Sequence, residues 1–518
     1  MSVRRVMGIE TEYGVSAPGD PTANAMLLSS QVVNAYAAPL GTRAGRARWD
    51  YEDEAPLRDA RGWELARDSA DPSQLTDAPE DPGLANVILS NGARLYVDHA
   101  HPELSTPECF DPLEAALYDK AGEVILARAA AAAQGALGPG EHLLIHKNNS
   151  DGKGNSYGAH ENYLMARGVP FGEVVAHLTA FLVTRQVFTG AGKVGSENGR
   201  PAVPFQLSQR ADFFEEEVGL ETTLKRPIVN TRDEPHADPG IYRRLHVIAG
   251  DANLSEKQIL LKLGSTALVL AALEAGALGR PLLLEDPVGA MWRISHDPGL
   301  RRTVRLAGGK SITPLEVQHE YLAGVQAHAA AGDAGPVQLQ VLALWEETLG
   351  ALERDPLSTS GYLDWAAKLR LLEEYRERDG LPWSHPKLRL LDLQYHDVDP
   401  ERSVHGCLVR AGRMERLFSD DAVERATTEP PERTRAYFRG RCLARFGEAV
   451  VAANWDSLLL DVGEGALSRV PMMDPLRGGR ESVADLIDRS ASAADLVRAL
   501  GGANGRTGTQ AAPPERAL

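Results

Sequence analysis

Residues 87–109 constrain the fold of this chain more than any other stretch, because a hairpin pattern there carries ionisable side chains on one face. Two short apolar runs flank Asn91-Gly92, a pair that readily takes the positive φ angles of a two-residue hairpin turn. Side chains alternate along the second run, so Arg94, Tyr96 and Asp98 share one face, while the leucine and valine between them share the other. We therefore predict a hairpin with one apolar and one ionisable face.

More ionisable residues follow the hairpin directly. His99, His101, Glu103 and Glu108 come within ten residues, and the two prolines among them are expected to prevent regular structure. Such a density of ionisable groups is unfavourable unless something binds there. On the hairpin alone, an equally good interpretation is that Asp98 caps a loop and that the arginine pairs with a carboxylate on a solvated sheet face.

The first predicted strand adds two more carboxylates. Residues 4–14 read Arg-Arg-Val-Met-Gly-Ile-Glu-Thr-Glu-Tyr-Gly, which places Glu10 and Glu12 on one face. Like charges two residues apart repel, so such a pair usually binds cations, and oxygen ligands suit Mg²⁺ together with a phosphate donor. A Glu-x-Glu motif alone is weak, because many solvated edge strands carry one.

Composition narrows the classes of function. The 518 residues exceed one ordinary core, which predicts one large and one small domain, and the net charge of −17 argues against nucleic acid or an anionic membrane surface as a partner. The scattered Cys109, Cys407 and Cys442 show no metal-ligand spacing and suit a reducing cytoplasm. We find no apolar stretch long enough for a signal peptide or a membrane span.

Hydrophobic periodicity predicts the remaining elements. Residues 41–85 are polar and have little to bury, so we expect a long mobile loop, either a lid over the site or a disordered insertion. Predicted helices cover residues 28–38, 112–134 (capped by Asp111), 255–275 (buried on all sides), 314–330, 337–352 and 358–378. Predicted strands cover residues 143–149, 159–165, 205–210, 227–234 and 243–253, and residues 388–395 are a strand or a connector.

Two of these strands carry histidines on a polar face. His160 shares a face with Asn162, and His246 shares one with Arg244. A single histidine on a strand is more often structural, but together with the glutamates above they favour ligands and phosphate contacts lining one concave sheet. The glycine-rich residues 151–158 resemble a phosphate cradle but lack the spacing of a P-loop.

The C-terminal part is predicted to be a separate small domain. Pro430-Pro431 marks the expected boundary, which gives domains at residues 1–430, with the loop at about 41–85 inserted, and 431–500. Within the second we predict a basic helix at 433–445, a strand at 457–462 and a helix at 482–500, and residues 501–518 are expected to be a disordered tail. The arginines of the basic helix are most often a solvated face, but they are also natural anion contacts.

Several of these motifs together resemble the Pup ligase/depupylase family, which is related to carboxylate-amine ligases of the glutamine synthetase type. The motifs are residues 7–14, 94–98 (Arg-Leu-Tyr-Val-Asp), 101–103 (His-Pro-Glu), 160–163 (His-Glu-Asn-Tyr), 245–253 and 453–457 (Ala-Asn-Trp-Asp-Ser). The resemblance runs over nearly the whole chain. It implies an α+β fold, in which a large glutamine synthetase-like domain has a curved, mainly antiparallel sheet cradle backed by helices, plus a small C-terminal domain.

The polar stretch at 41–85 is similar to an insertion that the depupylase branch has and the ligase branch lacks. The resemblance therefore implies an ATP-dependent amidohydrolase that deamidates the C-terminal Gln of the modifier protein Pup and cleaves the isopeptide bond between Pup and substrate lysines. In the family ATP is needed but is not consumed at each turnover. The implied cofactors are ATP and Mg²⁺, the implied partners are Pup and pupylated proteins, and the implied location is the cytoplasm.

The family motifs also imply individual roles. Asp98 matches the catalytic aspartate, acting either as a direct nucleophile or as a base that activates water. The residues implied at the metal site are Glu10, Glu12, Tyr96, Glu103, His160 and His246. The residues implied to bind the nucleotide are Arg94, Thr106, Asn162, Arg210, Arg232 and Trp455.

Three alternatives remain open at this point. The nearest is a Pup ligase, in which ATP phosphorylates a Glu carboxylate of Pup and Asp98 deprotonates the incoming lysine. A small-molecule ligase of the glutamate-cysteine type is more distant. A non-enzymatic protein that binds Pup or a nucleotide belongs to a different class, and the combination of Glu10, Asp98 and Glu103 argues against it.

Overall fold

The computed structural model of this chain describes residues 5–20, 22–40, 48–50, 57–64, 85–135, 137, 142–332, 334–463 and 467–504. Its strands are β1 (Met7–Glu12), β2 (Gly14–Ser16), β3 (Arg48–Trp49), β4 (Arg58–Asp59), β5 (Trp63–Glu64), β6 (Asn86–Ile88), β7 (Arg94–Asp98), β8 (His101–Ser105), β9 (Leu144–His146), β10 (Ala159–Ala166), β11 (Lys193–Val194), β12 (Phe205–Gln206), β13 (Glu216–Gly219), β14 (Pro227–Asn230), β15 (Tyr242–Val247), β16 (Val304–Arg305), β17 (Ser311–Ile312), β18 (Val450–Ala453), β19 (Ser457–Asp461) and β20 (Leu467–Pro471). Its α-helices are α1 (Ala25–Ala37), α2 (Pro112–Gln134), α3 (Phe171–Thr184), α4 (Gln186–Thr189), α5 (Glu256–Glu274), α6 (Pro287–Ser295), α7 (Pro314–Ala330), α8 (Pro336–Arg354), α9 (Asp364–Asp379), α10 (Pro386–Tyr395), α11 (Val404–Arg410), α12 (Asp420–Ala426), α13 (Ala436–Phe446), α14 (Arg480–Arg489) and α15 (Ala493–Asn504).

The central element is a six-stranded sheet in the order β15-β10-β1-β8-β7-β6, and every neighbouring pair in it is antiparallel. Helices cover its apolar face. Near β1, β10 and β15 the core contains Ile9, Tyr163 and Leu245 with residues of α2, α3 and α5, and near β7 and β8 it contains Leu95 and Leu104 with residues of α1 and α2. The predicted α+β class, with a mainly antiparallel sheet backed by helices, is confirmed.

Most long helices lie where the sequence predicts them. The helices predicted at 112–134 and 314–330 have those bounds, with Asp111 and Thr313 as their N-caps. The apolar helix α5 is buried along almost its whole length, as expected for a helix without a polar face. Among the described residues, no helix combines the length and the apolar character needed to cross a bilayer.

The predicted hairpin forms, but two of its details differ. Leu89 N donates to Ala93 O and Gly92 N to Leu89 O, and only Gly92 of the turn has a positive φ, +85°. The turn is therefore a three-residue loop with glycine in the left-handed position, not a two-residue turn. The prolines do not prevent regular structure either, because Pro102 lies within β8, where its carbonyl accepts from Tyr13 N.

Four other predictions were wrong in detail. Residues 388–395 belong to the helix α10 and are neither a strand nor a connector. The strand predicted at 205–210 pairs only at Phe205–Gln206, the helix predicted at 358–378 is a 3-10 turn (Pro356–Gly361) followed by α9, and the helix predicted at 482–500 is interrupted between α14 and α15.

The basic helix is not simply a solvated face. Of the arginines in α13 and just before it, Arg435 and Arg439 are buried and contact Glu108, whereas Arg433 and Arg441 form exposed ion pairs. The core of the C-terminal part includes Trp49 and Ile88 from the N-terminal half as well as residues of α13, β18 and β19. The domain boundary at residue 430 stays a prediction.

Much of the polar stretch at 41–85 lies outside the described residues, and so do residues 505–518 of the predicted tail. The tail prediction is wrong for residues 501–504, because they belong to the helix α15. The described parts correct the expectation that the stretch has little to bury. Trp49 is buried in the C-terminal core through the parallel pairing of β3 with β18, and Leu57 and Asp59 are buried near β14. The lid interpretation stays a prediction.

Candidate functional site

The ionisable face of the sheet lines a cleft of about 1010 Å³. The predicted site residues in its lining are Glu10, Glu12, Arg94, Tyr96, Asp98, Glu103, His160, Arg210, Arg232, His246 and Trp455. Thr106 and Asn162 line an adjoining pocket of about 560 Å³, which shares Glu10, Ser105 and Trp455 with the cleft. The structure thus brings the predicted residues to one place and puts these two at its edge.

Antiparallel register explains why residues far apart in sequence meet here. Glu10 of β1 is paired with His160 of β10 on one side, and Glu12 is paired with Glu103 of β8 on the other. Because side chains of paired residues project from the same face of a sheet, these four groups converge. Asn162 opposite His246 and Tyr96 opposite Glu103 extend the pattern across the neighbouring strands.

Glu10 and two histidines form a compact cluster. Glu10 Oε2 lies 3.5 Å from His160 Nδ1 and 3.6 Å from His246 Nε2, and the two imidazole rings meet edge to face at 4.9 Å. Burial alone would raise the pKa of Glu10, but contacts with the two histidines hold it well below its usual value. Burial lowers the pKa of His246 to about 3, so this imidazole is neutral and available as a ligand.

The donor chemistry of this cluster fits a divalent cation. His160 Nε2 and His246 Nε2 are buried without a hydrogen-bond partner in the described residues. The ligand atoms of Glu10 and the two histidines all lie within 4.8 Å of one another. Asn162 Nδ2 donates to Glu10 Oε1 at 2.8 Å and fixes the carboxylate. A mixed carboxylate and imidazole set accepts Mn²⁺ as well as Mg²⁺.

A second group of carboxylates lies beside the first. Ligand atoms of Glu12, Asp98 and His99 lie within 4.8 Å of one another, and Glu103 Oε2 is buried without a hydrogen-bond partner in the described part of the chain. Burial raises the pKa of Glu103 well above its usual value, and the charges of Asp98 and Glu12 raise it further. Burial also acts to raise the pKa of Asp98, but the contact with His99 lowers it, so Asp98 is ionised. Such crowding of carboxylates is relieved when cations bind.

Three arginines supply positive charge to the same cleft. Arg210 donates to the carbonyls of Ile248 and Gly250, and Arg226 donates to the carbonyls of Thr222 and Ser156. Burial lowers the pKa of Arg210, and the charge of Arg226 lowers it further. Within the described residues, neither these two nor Arg232 forms an ion pair with a carboxylate, so they are suited to bind an anion.

An aromatic wall closes another side of the cleft. The guanidinium carbon of Arg94 lies 4.0 Å from the ring centroid of Trp49 and 3.8 Å from that of Tyr96. Trp49 meets Trp455 edge to face at 5.1 Å, and Arg439 lies over Trp455 at 5.0 Å. Flat aromatic and guanidinium surfaces of this kind can stack on a nucleobase.

Sequence reasoning missed several residues of the lining. Arg226 precedes a short strand and shows no periodic pattern that would single it out. Tyr157 lies at the end of the glycine-rich stretch, where its ring stacks on His101 at 4.4 Å and its hydroxyl donates to Asn148 Oδ1 at 2.6 Å. Arg244 could have been predicted from the sequence, because it shares a strand face with His246 on β15. Its guanidinium group donates to Asn162 Oδ1 at 2.9 Å.

Three curated relatives cover almost the whole chain. The depupylase of Acidothermus cellulolyticus is 59% identical over 505 residues, which are 96% of this chain and 100% of that protein. The Pup deamidase/depupylase of Mycolicibacterium smegmatis is 53% identical over 96% of this chain and 100% of its own length. The Pup–protein ligase of Nakamurella multipartita is 40% identical over 94% of this chain and 99% of its own length.

Two solved structures share the fold. The crystal structure of the complex between Pup and its ligase PafA superposes with a TM-score of 0.79 at 30% identity, over 98% of this chain and 96% of that one. The structure of the Pup ligase PafA in complex with ADP superposes with a TM-score of 0.72 at 33% identity, over 82% of this chain and 95% of that one. A family model described as Pup-ligase protein matches residues 5–459. With the cleft and its carboxylates, histidines and arginines described, these matches establish that the chain belongs to the Pup-ligase family.

Proposed function

We propose that this protein is an ATP-dependent amidohydrolase that deamidates the C-terminal Gln of Pup to Glu and cleaves the isopeptide bond between Pup and substrate lysines. The two relatives named for this activity are 59% and 53% identical to the chain, whereas the ligase is 40% identical. The observation that carries the proposal is the position of Asp98 between a carboxylate and histidine cluster and Arg210, Arg226 and Arg232, which form no ion pair with a carboxylate in the described part of the chain. An ionised carboxylate facing bound cations suits attack on an amide.

The proposed metal site consists of Glu10, His160 and His246 on one side and of Glu12, Glu103 and Tyr96 on the other. The first three form the compact cluster, and the Tyr96 hydroxyl lies 3.3 Å from Ser105 Oγ at the edge of the second group. Bound Mg²⁺ would neutralise the carboxylates and polarise the oxygen atoms of a phosphate or an amide. His160 Nε2 and His246 Nε2, which have no hydrogen-bond partner among the described residues, and the raised pKa of Glu103 both support a cation at this place.

The proposed nucleotide site lies next to the metal cluster. Arg94 and Trp455 belong to the aromatic wall, and Arg210 and Arg232 offer guanidinium groups to phosphates, to which we add Arg226. Thr106 and Asn162 border the adjoining pocket, where Thr106 Oγ1 accepts from Ile9 N at 2.9 Å. The ADP complex of the related ligase supports ATP as the nucleotide.

The proposed chemistry needs an attacking oxygen and a stabilised oxyanion, because an amide carbonyl is a poor electrophile. Asp98 supplies the attack either directly, through an anhydride with the substrate acyl group that water then hydrolyses, or as a base that takes a proton from the attacking water. The leaving group is ammonia from Gln or the lysine amine from the isopeptide. The arginines stabilise the negative charge that develops on the carbonyl oxygen.

The proposed partners are Pup and pupylated proteins, and neither nucleic acid nor a membrane surface suits a chain with a net charge of −17. The proposed location is the cytoplasm. Cys109, Cys407 and Cys442 are few and scattered along the sequence without metal-ligand spacing, which suits a reducing compartment.

Intact-mass spectrometry after incubation with ATP, Mg²⁺ and Pup ending in Gln tests the proposal. We expect Pup in which the terminal amide NH₂ is replaced by OH, and no product with Asp98→Asn, although that variant still binds nucleotide. A Pup–lysine conjugate as the product would instead identify a ligase. An unchanged Pup would point to a binding protein or a small-molecule enzyme, and full activity of Asp98→Asn would remove Asp98 from the chemistry.

A further inference from the structure

The turn between β7 and β8 has an unusual backbone. Asp98 pairs with His101, so His99 and Ala100 form a two-residue turn, and their φ angles are +44° and +71°. They are the only consecutive pair of non-glycine residues with positive φ in the described residues. Positive φ at both central residues defines the type I′ turn, which favours Asn-Gly; histidine adopts positive φ more often than most other residues, but alanine is disfavoured there.

The surrounding structure holds this turn in place. Ala100 O accepts a hydrogen bond from Ser29 Oγ of α1 at 2.8 Å, and the ladder of β7 with β8 runs without interruption from Arg94 to His101. Residues in sparsely populated backbone regions persist only where their surroundings impose them, and they concentrate at functional sites. A histidine at a position where asparagine or glycine would be more stable therefore suggests that its side chain is needed.

The position of the His99 imidazole indicates what its side chain does. His99 Nδ1 lies 2.9 Å from Asp98 Oδ1, and both side chains are about one-quarter exposed, at 26% and 22%. The Asp98 carboxylate also lies beside Glu12, whose negative charge repels it. Without a fixed neighbour the carboxylate could rotate away from this charge, whereas a contact at Oδ1 holds it and leaves Oδ2 for the substrate.

We propose that His99 is a positioning residue: the left-handed turn aims its imidazole at Asp98 and thereby fixes the carboxylate in the orientation for attack on the amide. This inference rests on the proposed function, because it assigns a task to Asp98 in amide hydrolysis. It places His99 outside the groups that touch the substrate. It also explains why the chain keeps a strained turn beside the reacting carboxylate.

His99→Gly tests the proposal, because glycine adopts positive φ without strain and lacks the imidazole. We expect kcat for Pup deamidation to fall by about 10- to 100-fold, the range of a misplaced reacting group. The KM for ATP should stay unchanged and the melting temperature should equal or exceed that of the wild type. A merely structural role would lower the melting temperature. Added imidazole should restore part of kcat, because the site of the side chain is partly open to solvent.

Ala100→Gly is the matched control. It relieves the same kind of backbone strain at the next residue and keeps His99, so kcat should equal that of the wild type. An unchanged kcat in His99→Gly, or an equal loss in Ala100→Gly, would overturn the proposal. Loss of a bound Mn²⁺ from His99→Gly would make His99 a metal ligand and overturn it too. If the wild type itself fails to deamidate Pup, the proposed function fails, which is a distinct result.

Discussion

Glu108 Oε1 lies 2.7 Å from Nε of Arg435 and 3.2 Å from Nη1 of Arg439, although more than 300 residues separate the acid from the two bases in sequence. Arg439 also donates to Gly92 O at 2.9 Å and to Trp455 O at 3.1 Å. The pair of arginines therefore connects the C-terminal strands to the hairpin that carries Asp98. The aromatic wall of the cleft depends on this connection, because Trp455 is one of its members.

We expect Glu108→Gln to destabilise the protein by about 3 kcal/mol, because it leaves two buried guanidinium groups without a carboxylate. Urea unfolding followed by circular dichroism measures the change. Glu432→Gln is the control, because Glu432 forms an exposed pair with Arg480, and the loss of this pair should leave the free energy of unfolding almost unchanged. Equal effects of the two substitutions would contradict the connecting role of Glu108.

The same pair predicts a pH dependence of stability. Burial acts to raise the pKa of Glu108, but Arg439 and Arg435 lower it to about 2, below the value of about 4.3 expected in the unfolded chain. The stabilisation is therefore fully present above about pH 4.3 and is lost as the pH falls through about 2. The difference in unfolding free energy between wild type and Glu108→Gln should be constant from about pH 7 to pH 5 and smaller at about pH 3. A constant difference down to pH 3 would argue against it.

Trp49→Leu should weaken nucleotide binding, because Arg94 loses one of the two rings on which it stacks. A cation–π contact of this kind corresponds to roughly 2- to 30-fold in Kd. Isothermal titration with ADP and Mg²⁺ measures it. Trp63→Leu is the control, because Trp63 is 44% exposed and should leave the affinity unchanged.

Glu10→Gln should weaken Mn²⁺ binding by at least about tenfold, because it removes the negative charge of the carboxylate that both histidines contact. Electron paramagnetic resonance of free Mn²⁺ gives the Kd directly, without any need for activity. Glu173→Gln serves as the control, because Glu173 is exposed on α3, where it lies 3.8 Å from the buried His177. If Glu10→Gln binds Mn²⁺ like the wild type, the metal site lies elsewhere.

Asp59→Ala should destabilise the fold by about 1–3 kcal/mol, since it leaves buried donors without an acceptor. Asp59 Oδ2 accepts from Thr231 Oγ1 at 2.6 Å and Oδ1 accepts from Arg61 N at 2.8 Å, which ties β4 to the segment that carries Arg232. Thermal unfolding measures the loss. The exposed Glu64 of the same hairpin should tolerate alanine, and an equal loss there would show that the effect is not specific to Asp59.

Much of the site was predictable because strand alternation is a local property. Once residues 94–98 form a strand, Arg94, Tyr96 and Asp98 must share a face, and the same holds for Glu10 and Glu12. Residues 388–395 show the limit of such patterns. Their leucines suit a strand as well as a helix, and the helix that forms buries Leu388 and leaves Leu390 and Leu393 exposed.

Other features depend on distant parts of the chain. Nothing near Glu108 in sequence indicates that Arg435 and Arg439 will bury against it. Trp49 lies in a stretch of polar composition, and only its parallel pairing with β18 explains its burial beside Arg94. Arg226 faces the cleft because of where the segment just before β14 lies, not because of any motif.

By itself the sequence determined which strands carry ionisable faces and which helices must be buried, because both follow from the spacing of side chains along one element. Only the tertiary structure decided that Glu10 would meet His160 and His246, that the turn after Asp98 would aim His99 back at it, and that the C-terminal arginines would bury against Glu108. These contacts join residues from separate elements. Their geometry is set by sheet register and packing, which no local pattern contains.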